Sequence, residues 1–311
     1  MKRRRFLHIL AATQPTALLA KEESPAWHWK GVLFGADASL TLHGMSAKEG
    51  ECVTSGAFQR LRKLESLFSL YQENSVIREL NCQGELKHAP PEFLSLLKRA
   101  ILLGDRTKGA FDITVQPLWE LYQSHYEKSG RAPSEDAEKE ALVKVDYRAI
   151  QIDGDRVRFA KPGMAITLNG IAQGFITDQI AEWLKRQGVQ HSLVSLGEYR
   201  ALGDHPEGRP WEIGIRDPNN VEEGMDSVPI DDQALAVSGG YGYTFGDSRK
   251  HHHLFHPRGG SHQLANRSVA IIAPTATQAD ALSTACAVLG DRAARALAEQ
   301  EKVSLSIFGV S

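Results

Sequence analysis

Stretches with helical apolar spacing and stretches with alternating apolar spacing follow one another along this chain without a regular strand–helix rhythm. That irregular order favours an α+β fold over a doubly wound parallel sheet. Residues 57–70 place Phe58, Leu61, Leu64, Leu67 and Phe68 on one helical face, with Arg60, Arg62, Lys63 and Glu65 turned outward. A second helix is expected to open at Pro91 and run through Phe93, Leu96, Leu97 and Ile101. Residues 131–143 begin with a Pro-Ser-Glu-Asp start signal, residues 174–188 carry Phe175, Ile176, Ile180, Trp183 and Leu184, and residues 277–289 read as another helix. Between them, residues 29–43 end in apolar–polar alternation and are read as one half-buried strand, residues 149–159 as a hairpin around Asp153-Gly154, and residues 268–273 as a strand. Residues 191–215 read as short strands joined by glycine turns, and a helix and strand close the chain. With no internal repeat and no long polar linker, residues 27–311 are expected to form one unit of mixed sheets with packed helices.

The first residues read differently. Arg3-Arg4-Arg5-Phe6-Leu7 matches the core of twin-arginine export signals and precedes a mildly apolar stretch. Residues 1–26 are therefore expected to be an export signal, and the protein to be periplasmic, or membrane-tethered if the signal is kept. Gln14 and Pro15 interrupt the apolar stretch, which leaves open a merely ragged basic terminus. No other apolar run approaches the ~20 residues needed to span a bilayer. The formal net charge of -2 gives no electrostatic reason to expect nucleic acid as a partner. Cys52, Cys82 and Cys286 are odd in number and lack CxxC spacing, so they read as free, buried thiols, with pairing of Cys52 and Cys82 left open.

The chain has no GxxxxGK[ST] loop, no GxSxG elbow, no HExxH and no GxGxxG, so the familiar nucleotide and protease scaffolds are set aside. Three small-residue clusters remain. In residues 108–114, Lys-Gly-Ala-Phe-Asp-Ile-Thr, the small residues let backbone approach a ligand, Phe111 can cover a ring and Asp112 can accept hydrogen bonds. The same segment could be only a corner with an Asp turn. Residues 167–175, Thr-Leu-Asn-Gly-Ile-Ala-Gln-Gly-Phe, set backbone N–H groups at a helix N-terminus, where a pyrophosphate would be stabilised and a turn carbonyl could ligate a hard cation. Tight helix packing would select Gly170 and Gly174 equally well. In residues 275–286, Asp280, Ser283 and Thr284 share one helical face and offer hard oxygen ligands that suit magnesium. The competing reading makes Thr277 the helix cap and Asp280 its third-position partner. Of His251, His252 and His253, alternation in an extended segment prevents all three from lining one site. At least one is expected on the surface, and His253 is placed toward a pocket.

In this order, the clusters resemble the ApbE family of FAD:protein FMN transferases from about Gly31 to Gly290. The resemblance adds Phe34-Gly35-Ala36, Ser69-Leu70-Tyr71 with Ser75, Leu80-Asn81, Ser238-Gly239-Gly240-Tyr241, and residues 252–257 to the three clusters. It implies an α+β fold related to the tunnelling-fold class. FAD would touch Phe34, Tyr71, Ala110, Phe111, Asp112, Thr167, Gln173 and Leu254, and Mg2+ would be held by Gly170 through its carbonyl and by Asp280, Ser283 and Thr284. The implied reaction is transfer of FMN from FAD to a Ser or Thr hydroxyl of a partner flavoprotein in an exported or membrane redox system. AMP would leave, with Asp280 ligating the metal or taking the incoming proton and His253 as an acid–base or positioning group. Four positions depart from the family pattern: Gln173 stands where Lys or Glu is common, Glu198 where a second Gly is frequent, Val237 where Thr is typical, and His256 where Asp is usual. Two rival expectations are an FAD pyrophosphatase, with water replacing the acceptor, and a flavin carrier without turnover.

Overall fold

Seven strands form one antiparallel sheet whose spatial order follows the chain: β1 (Ala26–Leu33), β2 (Ala36–His43), β3 (Ser192–Ser195), β4 (Tyr199–Leu202), β5 (Ala234–Gly239), β6 (Ser268–Ala273) and β7 (Ser304–Phe308). The computed structural model describes residues 26–33, 36–216, 225–246, 250–259 and 267–309. The expected export signal up to residue 25, and Phe34, lie outside the described residues.

Strand alternation divides the sheet into two faces. Leu40, Leu42, Val194, Ala234, Ala236, Val269 and Ile271 point into the main core beneath the helices. Leu193, Ala201, Leu235, Val237 and Ala270 point the other way, onto a hairpin of Trp211–Arg216 and Met225–Ile230. The helices are α1 (Ala47–Phe68), α2 (Val76–Gln83), α3 (Pro91–Arg106), α4 (Gln116–Ser129), α5 (Glu135–Leu142), α6 (Ala172–Arg186), α7 (Ala276–Val288) and α8 (Asp291–Glu301). The mixed α+β architecture with packed helices matches the sequence expectation.

Several details differ from the sequence reading. The single strand expected over residues 29–43 is a two-stranded antiparallel hairpin, in which Leu33 pairs with Ala36 and Trp29 with Leu40. Fifteen residues exceed the usual strand length, and reversal lets two short strands share one core face. Helix α1 starts ten residues earlier than its apolar periodicity, because Ser46 and Glu49 close a reciprocal capping box at its first turn. Cys52 and Cys82 are exposed, against the expectation that all three thiols are buried; Cys286 is buried, and all three are free.

A third, smaller cluster joins Leu118 and Tyr122 of α4 and Ala141 of α5 to Phe245 and Phe255. It carries a short hairpin of Thr244–Phe245 and His251–His252, which holds the histidine segment.

Candidate active site

Helices α6 and α7 pack so closely that a Cβ on Gly174 would lie 2.2 Å from the Ala276 carbonyl oxygen and 2.8 Å from Asp280 Cβ. The contact brings each helix N-terminus against an aspartate of the other. No side chain caps α6 at Ile171; instead Gly174 N–H donates to Asp280 Oδ2 at 2.9 Å. In return, Asp178 of α6 accepts from Ala276 N–H and Thr277 N–H, each at 2.8 Å, and from the Thr277 hydroxyl. Both carboxylates thereby meet the positive ends of helix dipoles. The capping expectation is corrected: Thr275 caps α7 through Gln278 N–H, and Asp280 serves the neighbouring helix rather than its own.

The turn before α6 completes the cluster. A Cβ on Gly170 would stand 2.9 Å from Thr284 Oγ1, so the Gly170 backbone lies directly on the Thr284 hydroxyl. Ser283 Oγ donates to the Asp280 backbone carbonyl at 2.9 Å and lies 2.7 Å from Ser238 Oγ on β5. Gly170, Asp280, Ser283 and Thr284, predicted as one set from residues more than a hundred positions apart, are thus adjacent. Among the described residues no group of three or more His, Cys, Asp or Glu side chains could hold a metal. The set is instead one carboxylate with hydroxyls and a backbone carbonyl, the hard, sparsely charged donors that suit Mg2+ shared with a phosphate.

The electrostatics call for positive charge. Asp280 is 3% exposed, and burial, reinforced by Asp178, lifts its carboxyl to about 7 against the helpful bond from Gly174 N–H. Glu198, at the turn between β3 and β4, is also buried; burial and the Asp280 charge push it well above the usual carboxylate range, opposed by a bond from Val237 N–H. No basic side chain contributes to either shift. The two buried acids therefore stand together without a basic partner in their shifts.

Hydrogen bonds link segments expected to touch FAD to the same turn. Thr167 N–H donates to the Ile113 carbonyl at 2.8 Å, which ties the turn to the segment containing Ala110, Phe111 and Asp112. Arg258 Nη2 donates to the Lys108 carbonyl at 3.0 Å, which ties the His252–Pro257 loop to that segment too. Leu254 packs on the main core, which also includes the buried Ala110 and Phe111. Asn81 clamps the segment entering the turn by donating to the Ile166 carbonyl and accepting from Ile166 N–H, both at 2.8 Å. Tyr71 lies on the α1–α2 connection and is 53% exposed. Gln173 leans over the next turn, with its amide nitrogen 2.7 Å from where a Cβ on Gly197 would stand.

Asp112 behaves as an Asp turn. Oδ1 accepts from Thr114 N–H at 2.8 Å and from the Thr114 hydroxyl, while Oδ2 accepts from Tyr147 N–H at 3.2 Å. The expectation that the α6 turn presents a row of open amides is reduced as well. Ile171 and Ala172 N–H donate to the Leu168 carbonyl and Gly174 N–H to Asp280, leaving Gly170 and Gln173 N–H without such bonds among the described residues.

None of the three histidines is on open surface, contrary to the expectation for at least one. His252 is 4% exposed, His251 Nδ1 bonds Tyr126 OH at 2.8 Å, and His253 is partly buried. His253 Nδ1 lies 3.2 Å from the Tyr243 carbonyl, an acceptor, so Nδ1 carries the proton and Nε2 keeps its lone pair. Burial lowers this imidazole to about 4, so it is neutral at neutral pH.

The sequence reading gave no role to Asp178, Glu198 or Ser238. Asp178 reads as one more polar helix residue, and only its position one turn after Gly174 hints that it faces α7.

Fold and site together define a mixed α+β enzyme that gathers oxygen donors where two helix N-termini meet. The chain belongs to the ApbE family, whose profile matches residues 34–308. An FAD:protein FMN transferase of Haemophilus influenzae is 33% identical over 264 residues, covering 80% of this chain and 75% of that protein. Another, from Treponema pallidum, is 30% identical over 266 residues, covering 78% and 73%. The solved apo structure of the flavinyl transferase ApbE of Pseudomonas stutzeri is similar with a TM-score of 0.79 at 26% identity, covering 94% of each chain.

Proposed function

We propose that this chain transfers FMN from FAD to a Ser or Thr hydroxyl of a partner protein with the help of Mg2+, releasing AMP. The observation that carries the reading is the meeting of the Gly170 turn with Asp280, Ser283 and Thr284 beside a second buried acid and no base. Gly170 through its carbonyl, Asp280, Ser283 and Thr284 would hold the cation, which when bound supplies charge neutralisation on the diphosphate. Ala110, Phe111, Asp112, Thr167, Gln173, Leu254 and the exposed Tyr71 would contact the flavin nucleotide.

In the reaction the acceptor oxygen attacks the FMN phosphorus, a P–O bond forms, and the P–O bond to the AMP phosphate breaks. The acceptor proton passes to His253 Nε2, the lone pair left by the Tyr243 contact. Positioning and charge neutralisation carry such a step, so no covalent nucleophile from the enzyme is required. The acceptor is proposed to be a flavoprotein of an exported or membrane redox system, on the strength of Arg3-Arg4-Arg5-Phe6-Leu7. No helix among the described residues is long and apolar enough to cross a membrane.

The test incubates the protein with FAD, Mg2+ and co-expressed candidate acceptors, and reads covalent flavin fluorescence on an acceptor band in a denaturing gel, with AMP measured alongside. Asp280→Ala is expected to slow transfer about 100-fold or more. Transfer at the wild-type rate overturns the assignment. AMP and free FMN without a labelled band would make the chain a pyrophosphatase, and no AMP a flavin carrier.

A further inference from the structure

Ser238 is the one hydroxyl of the cluster that comes from the sheet rather than from α7. Alternation along β5 puts it on the helix-covered face with Ala234 and Ala236, while Leu235 and Val237 point to the opposite side. Its Oγ lies 2.7 Å from Ser283 Oγ and 3.4 Å from Thr284 Oγ1, so one strand residue touches both hydroxyls assigned to the cation.

The direction of these bonds can be worked out. A serine or threonine hydroxyl has one proton to give and two lone pairs. Ser283 gives its proton to the Asp280 backbone carbonyl, at 2.9 Å. In the short contact with Ser238, Ser283 must therefore accept, and Ser238 donates. Its proton spent, Ser238 can only accept from Thr284. The protons run from Thr284 to Ser238 to Ser283 to the Asp280 carbonyl, each committed inside the protein. What remains at Ser283 is one lone pair, and at Thr284 two. Both are acceptors, as a metal ligand must be.

We propose that Ser238 is a positioning residue that orders the Ser283 and Thr284 hydroxyls as lone-pair donors to a divalent cation, without itself touching the cation or the substrate. The inference rests on the cation reading given above. Without Ser238 the strand would offer no acceptor for the Thr284 proton and no donor to Ser283. The Thr284 hydroxyl would then have to be reordered whenever the ion binds, and Ser283, still bonded to the Asp280 carbonyl, would lose the donor that fixes its second contact. Such supporting groups commonly change metal affinity by about 10- to 100-fold.

The experiment titrates Mn2+ into the full-length, FAD-free protein in the presence of ADP, following loss of the free-ion EPR signal, with thermal unfolding of the metal-free protein measured in parallel. Three variants are compared with wild type: Ser238→Ala, Ser238→Thr and Thr284→Ala. Ser238→Ala is expected to weaken Mn2+ binding about tenfold while the metal-free melting temperature stays within a few degrees. Ser238→Thr, which keeps the hydroxyl and suits a strand, is expected to restore binding to within about twofold. Wild-type affinity in Ser238→Ala overturns the proposal, as does a Ser238→Thr variant as weak as Ser238→Ala. If wild type fails to bind Mn2+, or Thr284→Ala binds as tightly as wild type, the cation reading itself falls and takes the proposal with it.

Discussion

Gly174→Ala tests whether the close approach of α6 and α7 is what builds the site. An added methyl would stand 2.2 Å from the Ala276 carbonyl oxygen, 2.6 Å from its carbon and 2.8 Å from Asp280 Cβ. None of these can rotate away, because two are backbone and the third is fixed to it. Ordinary contact begins near 3.4 Å, so the helices would have to part by roughly 1 Å. Parting them stretches the 2.9 Å bond from Gly174 N–H to Asp280 and the 2.8 Å bonds from the α7 amides to Asp178. Overpacking of this kind costs about 1–3 kcal/mol, and weakening a bond to a buried carboxylate adds about 1–3 kcal/mol. The expected loss is thus about 2–6 kcal/mol in urea unfolding followed by circular dichroism. Gly84→Ala is the control: its φ of +73° strains an alanine, but nothing lies within 4 Å, and the expected cost is only about 1–2 kcal/mol. A Gly174→Ala loss no greater than that of Gly84→Ala would refute the packing argument.

Two further outcomes follow from the paired aspartates. Burial raises Asp280 to about 7, so below that pH a proton competes with the cation for the same carboxylate. The apparent Kd for Mg2+, measured by calorimetry, should therefore weaken as pH falls below 7, by up to about tenfold per unit, and level off above it. A flat profile between pH 5.5 and 8 would contradict the assignment of Asp280 as a ligand. Asp178→Ala removes the acceptor of the Ala276 and Thr277 N–H groups at the α7 N-terminus, leaving the Thr275 cap and every proposed ligand in place. It should cost about 1–2 kcal/mol in urea unfolding, while FMN transfer at saturating Mg2+ falls far less than in Asp280→Ala. Equal loss of transfer in both variants would mean that Asp280 acts only through helix capping.

Local signals were the legible ones. The strand Ser268–Ala273 lies where its apolar run predicts, and α3 opens on its proline. The turn at Asp153-Gly154 joins Ile150–Asp153 to Arg156–Phe159. Helices α6 and α7 sit within two residues of their periodic patterns. Helix α4 has no counterpart in the sequence reading, although Pro117 in its first turn is a start signal. The start of α1 was hidden by Gly50, Thr54, Ser55 and Gly56, which interrupt the apolar stripe. Gly50 is needed there because Trp27 lies flat against it, with Trp27 Cγ 2.3 Å from where a Cβ would stand. Long-range partners are the part that local spacing does not carry. Asp178 meets α7 across 98 residues and Asp280 meets Gly174 across 106, and neither separation leaves a pattern in the chain.

The reciprocal caps also explain why a costly arrangement of acids persists. A buried carboxylate facing another acid is unstable in isolation, and a fold that needed Asp280 only for chemistry would carry that cost whenever the cation was absent. Here Asp280 accepts from Gly174 N–H at the positive end of α6, so part of its charge is compensated by the backbone before any ion arrives. Asp178 has both oxygens occupied by α7, which keeps it from competing for the same ion. Glu198 has one backbone N–H and no such dipole. Burial and the Asp280 charge raise its carboxyl well above the usual carboxylate range, and of the two fully buried acids only Asp280 is braced by a helix N-terminus.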